Sequence, residues 1–109
     1  MIDLPGVDIV LSHVGEAVVM NISGELDVTG SAELDDVVRE LLDQGAVRLI
    51  LDLSNVTFID STGLGVLVSC RNRCRDRQGD VVLRNPSEST RKVLAITALD
   101  QIFTVDSTA

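Results

Sequence analysis

At 109 residues the chain holds a single domain, 1–109, with one core flanked by two layers of elements and no room for a second fold. Seventeen acidic against nine basic residues give a net charge of −8, which opposes binding to nucleic acid or anionic lipid through bulk charge and favours a basic or polar protein partner. Hydrophobic residues make up 45%, with two Phe and neither Trp nor Tyr, so the core is aliphatic, as in strands buried on both faces.

Met1 to Val7, with Pro5 and Gly6, reads as a lead-in that lacks the basic and apolar regions of a secretory signal. Nowhere do eighteen apolar residues run together, so the expectation is a soluble, cytoplasmic protein without membrane contact. Ile9–Val14 and Ala17–Ile22 are β-rich runs about the turn residues Gly15 and Glu16, which predicts a hairpin. Ser23 to Asp27 then carry the chain off the sheet, and Thr29 is a candidate helix cap. From Gly30 to Gln44, Leu34, Val37, Val38, Leu41 and Leu42 recur at three and four residues opposite a charged side, which predicts an amphipathic helix stopped by Gly45.

Val47–Leu53 has the length and composition of a buried strand, and a second helix is expected from Ser61 or Thr62 to about Asp76, closed by Gly79. Arg71, Arg73, Arg75 and Arg77 near its end suit the negative end of a helix dipole. With no aromatic residue between them, on an acidic chain, they read as a solvated face rather than a phosphate or nucleic-acid patch. Val81–Leu83 is a short strand, Ser87 caps a helix to about Thr97, and Ile102–Val105 is a last strand. The order calls for an α/β domain with a mostly parallel sheet and an N-terminal hairpin. The carboxyl ends of the strands from Leu26 and Leu53 should then lie together, so that Asp27 and Ser61 share a surface.

The stretch Phe58–Leu67, FIDSTGLGVL, hands a buried strand to a helix through Asp60, Ser61 and Thr62, all N-cap residue types. Such a start offers unpaired N–H groups to anions. Gly63 and Gly65 each cost about 1 kcal/mol relative to alanine inside a helix, and they leave the backbone open to a macromolecule. A cap alone accounts for the aspartate and the hydroxyls. The glycines are what point to a site.

Several chemistries lack their parts. A serine hydrolase needs a base, but the one histidine, His13, lies on a predicted strand, and DSTG is not the GxSxG of a nucleophile elbow. GLG at Gly63–Gly65 lacks the third glycine of a dinucleotide fingerprint and the lysine of a phosphate loop. Asp27, Asp52 and Asp60 are scattered near turns, where aspartates cap or solvate more often than they hold a cation. Cys70 and Cys74 share a helix face and read as packed thiols, not as a disulfide or a zinc site. No cofactor and no metal are expected. What remains is a serine positioned as another enzyme's substrate: phosphorylation there adds about −1.5 to −2 charges beside Asp60.

FIDSTGLGVL, GELD at Gly24–Asp27 and NPSESTRKVLAITALDQIFTV from Asn85 stand in an order that resembles the anti-sigma factor antagonists of the STAS family over nearly the whole chain. The resemblance implies a small sheet with helices on one side. It also implies partner switching: the unphosphorylated antagonist binds an anti-sigma factor that is a serine kinase and frees the sigma factor. Phosphorylation from ATP on the serine after the motif's aspartate, here Ser61, releases the partner, and a phosphatase reverses it. Asp27, Asp60, Ser61, Thr62, Gly63, Leu64 and Gly65 match the family's contact surface, with Thr62 as a secondary hydroxyl. A STAS scaffold or sensing module without phosphorylation is the alternative. Two departures stand out: relatives usually carry a further helix where only Asp106–Ala109 follow Val105, and Ala98 stands where glycine is frequent.

Overall fold

The structure, a computed structural model, describes residues 6–107. The expected lead-in lies outside the described residues up to Pro5, and Val7 already opens the first strand. In chain order the elements are β1 (Val7–Val14), β2 (Ala17–Leu26), α1 (Val28–Asp43), β3 (Arg48–Ile59), α2 (Ser61–Asp76), β4 (Asp80–Arg84), α3 (Glu88–Ile96), a 3-10 turn at Leu99–Gln101, and β5 (Thr104–Asp106). They build one sheet ordered β1-β2-β3-β4-β5, antiparallel in the first pair and parallel in the rest.

The helices all cover one side of this sheet. Met20 and Ile22 of β2, Leu49, Leu51 and Leu53 of β3, and Val81 and Leu83 of β4 join Leu34 and Val38 of α1, Leu67, Cys70 and Cys74 of α2, and Leu94 of α3 in one buried cluster. Sheet residues of the other parity, such as Val10, Asn21, Asp52 and Arg84, face away from the helices. Among the described residues, no helix is long and apolar enough to cross a membrane.

Element boundaries depart from the sequence expectation where distant contacts decide them. The predicted Val47–Leu53 strand runs on to Ile59, and between Asn21 and Gly24–Glu25 of β2 it slips register twice, with Asp52–Asn55 opposite Asn21–Ser23 and Val56–Phe58 opposite Gly24–Glu25. Each bulge inserts one residue, so the apolar positions change from a spacing of two (Leu49, Leu51, Leu53) to three (Val56, Ile59) and no longer read as a strand. β2 likewise extends to Leu26, pinned by the Glu25 amide donating to the Gly6 carbonyl at 3.2 Å. The last strand begins at Thr104, because Ile102 still belongs to the turn after Gln101.

The arginines at the end of α2 are more than a solvated face. Arg73 reaches across to Asp35 of α1 at 2.8 Å, where Arg39 meets the same carboxylate, and Arg71 Nε donates to the Ile102 carbonyl at 3.0 Å. Both Asp35 and Asp52 sit below the ordinary carboxylate range. For Asp35, burial raises the pKa but the hydrogen bonds and charges of Arg39 and Arg73 outweigh it; for Asp52, burial is outweighed by Ser54 and Arg84. Cys70 and Cys74 are free and buried as expected, and the Cys74 hydrogen bond together with burial pushes the Cys70 thiol up.

A folded pKa below the unfolded value near 3.9 means that Asp35 and Asp52 contribute stability above about pH 4 and lose it as pH falls through their folded values. The urea midpoint should therefore drop between pH 5 and pH 2, and Asp35→Asn, already less stable at pH 7, should drop less. Ala98 has φ +61°, a left-handed conformation that costs an L-residue roughly 1–2 kcal/mol, and this explains why glycine is favoured there. Allowing for the greater freedom of glycine in the unfolded chain, Ala98→Gly should stabilise by about 0.5–1 kcal/mol in urea titrations.

Candidate functional site

The site forms where β2 and β3 end side by side. Leu26 lies opposite Ile59 in register, and the Asp60 amide donates to the Leu26 carbonyl at 3.3 Å. Each strand is followed at once by an aspartate that caps the next helix. Asp27 Oδ1 accepts the Gly30 amide at 2.8 Å, so the cap of α1 is Asp27 and not the expected Thr29, and the helix starts at Val28. Asp60 Oδ1 accepts the amides of Thr62 at 2.9 Å and Gly63 at 3.1 Å and also the Thr62 hydroxyl. These bonds, that of the Thr62 hydroxyl foremost, hold the Asp60 carboxyl below its usual value.

The anion position at the start of α2 is therefore already filled from within. Ser61, the first residue of the helix, is exposed, and among the described residues its hydroxyl has no hydrogen-bond partner. Of the two neighbouring hydroxyls, Thr62 is engaged and Ser61 is free. Asp27, Asp60, Ser61 and Thr62 thus come together at the carboxyl edge, as the sequence expectation required.

The two glycines separate. A Cβ on Gly63 would stand 2.6 Å from the Leu26 carbonyl oxygen and 2.7 Å from Ile59 Cγ1, so this buried glycine lets α2 lie against the end of β2. Its absence of a side chain has a structural use after all. A Cβ on Gly65 would meet nothing within 4 Å, and Gly65 is exposed. Leu64 between them is half-buried against the core.

Sequence reasoning missed two apolar neighbours of this edge. Val28, the first residue of α1, is 68% exposed, and Phe58, on the bare side of the sheet opposite Glu25, is 49% exposed. Val28 lay before the expected helix start at Gly30, so the apolar stripe of that helix did not reach it. For Phe58 the signal was hidden by the bulges.

Other groupings do not form. His13 pairs with Val18, and the eight strand steps from there to Leu26, at about 3.3 Å each, put it about 26 Å from the site. Asp52 is occupied by Ser54 and Arg84, away from Asp27 and Asp60, and among the described residues no cluster of three or more His, Cys, Asp or Glu could hold a metal ion.

The family model described as "STAS domain" matches residues 8–109. This chain belongs to the STAS family. The anti-sigma-B factor antagonist of Bacillus subtilis is 35% identical over 88 residues, covering 81% of this chain and 80% of that protein. The protein of the same description from Listeria monocytogenes is 30% identical over 84 residues, 77% of this chain and 74% of the relative. Among solved structures, the anti-sigma factor antagonist SpoIIAA in its unphosphorylated form superposes with a TM-score of 0.80 at 27% identity, covering 93% of this chain and 89% of its own. The phosphorylated form of the Bacillus cell fate determinant SpoIIAA gives 0.74 at 28% identity, with coverages of 93% and 92%. These relatives are named as anti-sigma factor antagonists.

The unequal roles of the glycines are directly testable. Gly63→Ala should destabilise by about 2 kcal/mol or more through overpacking against backbone. Gly65→Ala should stabilise by up to about 1 kcal/mol, the helix propensity gain at an unobstructed position. Chemical denaturation of both variants reads the difference, and equal losses would show that Gly65 also has a packing role.

Proposed function

We propose that residues 1–109 act as one STAS domain that antagonises an anti-sigma factor and is switched by phosphorylation of Ser61. In this reading the unmodified protein binds an anti-sigma factor that is also a serine kinase, and so frees a sigma factor. Asp27, Asp60, Ser61, Thr62, Leu64 and Gly65 supply the contact surface, with Val28 and Phe58 beside it. Gly63 acts beneath the surface by holding α2 in place. Phosphate from ATP on Ser61 dismisses the kinase, and a phosphatase restores the binding form.

The observation that carries the reading is the exposed, unbonded Ser61 hydroxyl beside a carboxylate already held ionised. A phosphoryl group there adds about −1.5 to −2 charges next to Asp60, on a surface that needs no rearrangement to present them. The relatives named as anti-sigma factor antagonists support the partner class. The similarity of this chain to SpoIIAA in both its phosphorylated and unphosphorylated forms supports a switch that leaves the fold in place.

Incubation with a cognate anti-sigma kinase and ATP, followed by intact mass and site mapping, tests the reading; a single phosphate on Ser61 is expected. No addition with an active kinase would favour the scaffold or sensing role instead. Ser61→Ala should bind the kinase about as well as the unmodified protein but resist release by ATP. Release from that variant would direct attention to Thr62. Ser61→Asp places a second anion at a helix start that Asp60 already occupies, so it should leave stability within about 1 kcal/mol of the unmodified protein while weakening binding by tenfold or more. Thermal midpoint and affinity measured on one sample decide it: a collapsed midpoint with unchanged affinity would move the switch into the fold.

A further inference from the structure

We propose that the outer edge of β1 accepts an extended segment of a partner protein as a sixth strand, with an apolar side chain facing the helical side and a basic one two residues to either side of it. β1 keeps one unbroken register with β2 over all eight residues, and among the described residues nothing pairs with its other edge. The opposite edge of the sheet, β5, has only three residues. Proteins ordinarily blunt a long edge with proline, bulges or charge. β1 has no proline or bulge, and its one carboxylate, Asp8, stands near the end.

Both faces beside this edge are apolar. Val10 and Val14 are 65% and 62% exposed on the bare side, while Ile9 and Leu11 open with Val37 and Leu41 of α1 into a cleft of about 240 Å³ rimmed by Glu40 and Gln44. Glu33 lies against Gly6 farther along the same edge. The seven helical steps from Glu33 to Glu40 span about 10.5 Å, within reach of long cationic side chains four residues apart on a strand, about 13 Å.

Charge selects the occupant. Glu33, Asp36, Glu40 and Asp43 are exposed along α1, and its one cation, Arg39, is paired with Asp35. A second copy of the chain would set this acidic helix against its own image at −8 per chain. A basic extended segment meets complementary charge and finds backbone partners along the edge.

The probe is an acetylated, amidated heptapeptide, Thr-Lys-Thr-Val-Thr-Lys-Thr, titrated into the whole protein and followed by amide chemical shifts. Saturable changes confined to residues 7–14 and 33–44 are expected. Affinity should fall about tenfold in the Glu33→Lys, Glu40→Lys double variant and stay unchanged in Glu88→Lys, which alters an exposed acid on α3. Unchanged thermal midpoints establish that the variants fold. No saturable change, or changes spread over the acidic surface and weakened equally by Glu88→Lys, would overturn the proposal. So would self-association in sedimentation that Leu11→Glu abolishes, which would assign the edge to a second copy.

Discussion

The close approach of the α2 start to the end of β2 is the constraint on which the rest depends. The Asp60 amide bonds the Leu26 carbonyl, and the missing side chain of Gly63 lets the first helical turn lie against the same group. Because β2 and β3 are parallel neighbours, this one contact fixes the heights of two capped helices at once. Asp27 and Asp60 are side by side for that reason and not because either attracts the other. A residue larger than glycine at 63 would tilt α2 and alter the angle at which Ser61 is offered.

Electrostatics divides the labour among adjacent residues. Asp60 satisfies two amides and the Thr62 hydroxyl, so the positive helix end is neutralised before any ligand arrives. Helix starts usually welcome an added anion. Here a phosphate would find its place taken and would project outward from Ser61, with its charge falling on whatever is docked there. In the proposed switch the added charge would act through the interface while the fold stays closed, and the likeness of this chain to SpoIIAA in both states supports that reading.

The same acidic character organises the rest of the surface. Four of the nine cations are spent on internal ties: Arg73 and Arg39 on Asp35 between α1 and α2, Arg84 on Asp52 across two strands, Arg75 on Asp80. What remains outward on α1 is carboxylate, beside a long regular edge strand. The carboxyl edge and the β1 edge thus differ in origin, the first set by helix caps and the second by the absence, among the described residues, of a neighbouring strand.

The sequence by itself determined the element order, the hairpin, the three helices, the aliphatic core and the DSTG turn as the candidate site, because periodicity and capping residues act over a few neighbours. It also singled out Asp27 and Ser61 as sharing an edge, since parallel neighbours with right-handed crossovers leave little other choice. Only the tertiary structure decided that β3 continues through two bulges to Ile59, that Asp27 rather than Thr29 caps α1, and that Gly63 serves packing while Gly65 does not. Each of these is settled by an atom distant in sequence: the Leu26 carbonyl for Gly63, the β2 ladder for Val56 and Ile59, and the paired strand end that aims Asp27 at Gly30. Local pattern carries no record of such contacts, because the residue types it reads are the same whether or not a partner strand lies alongside.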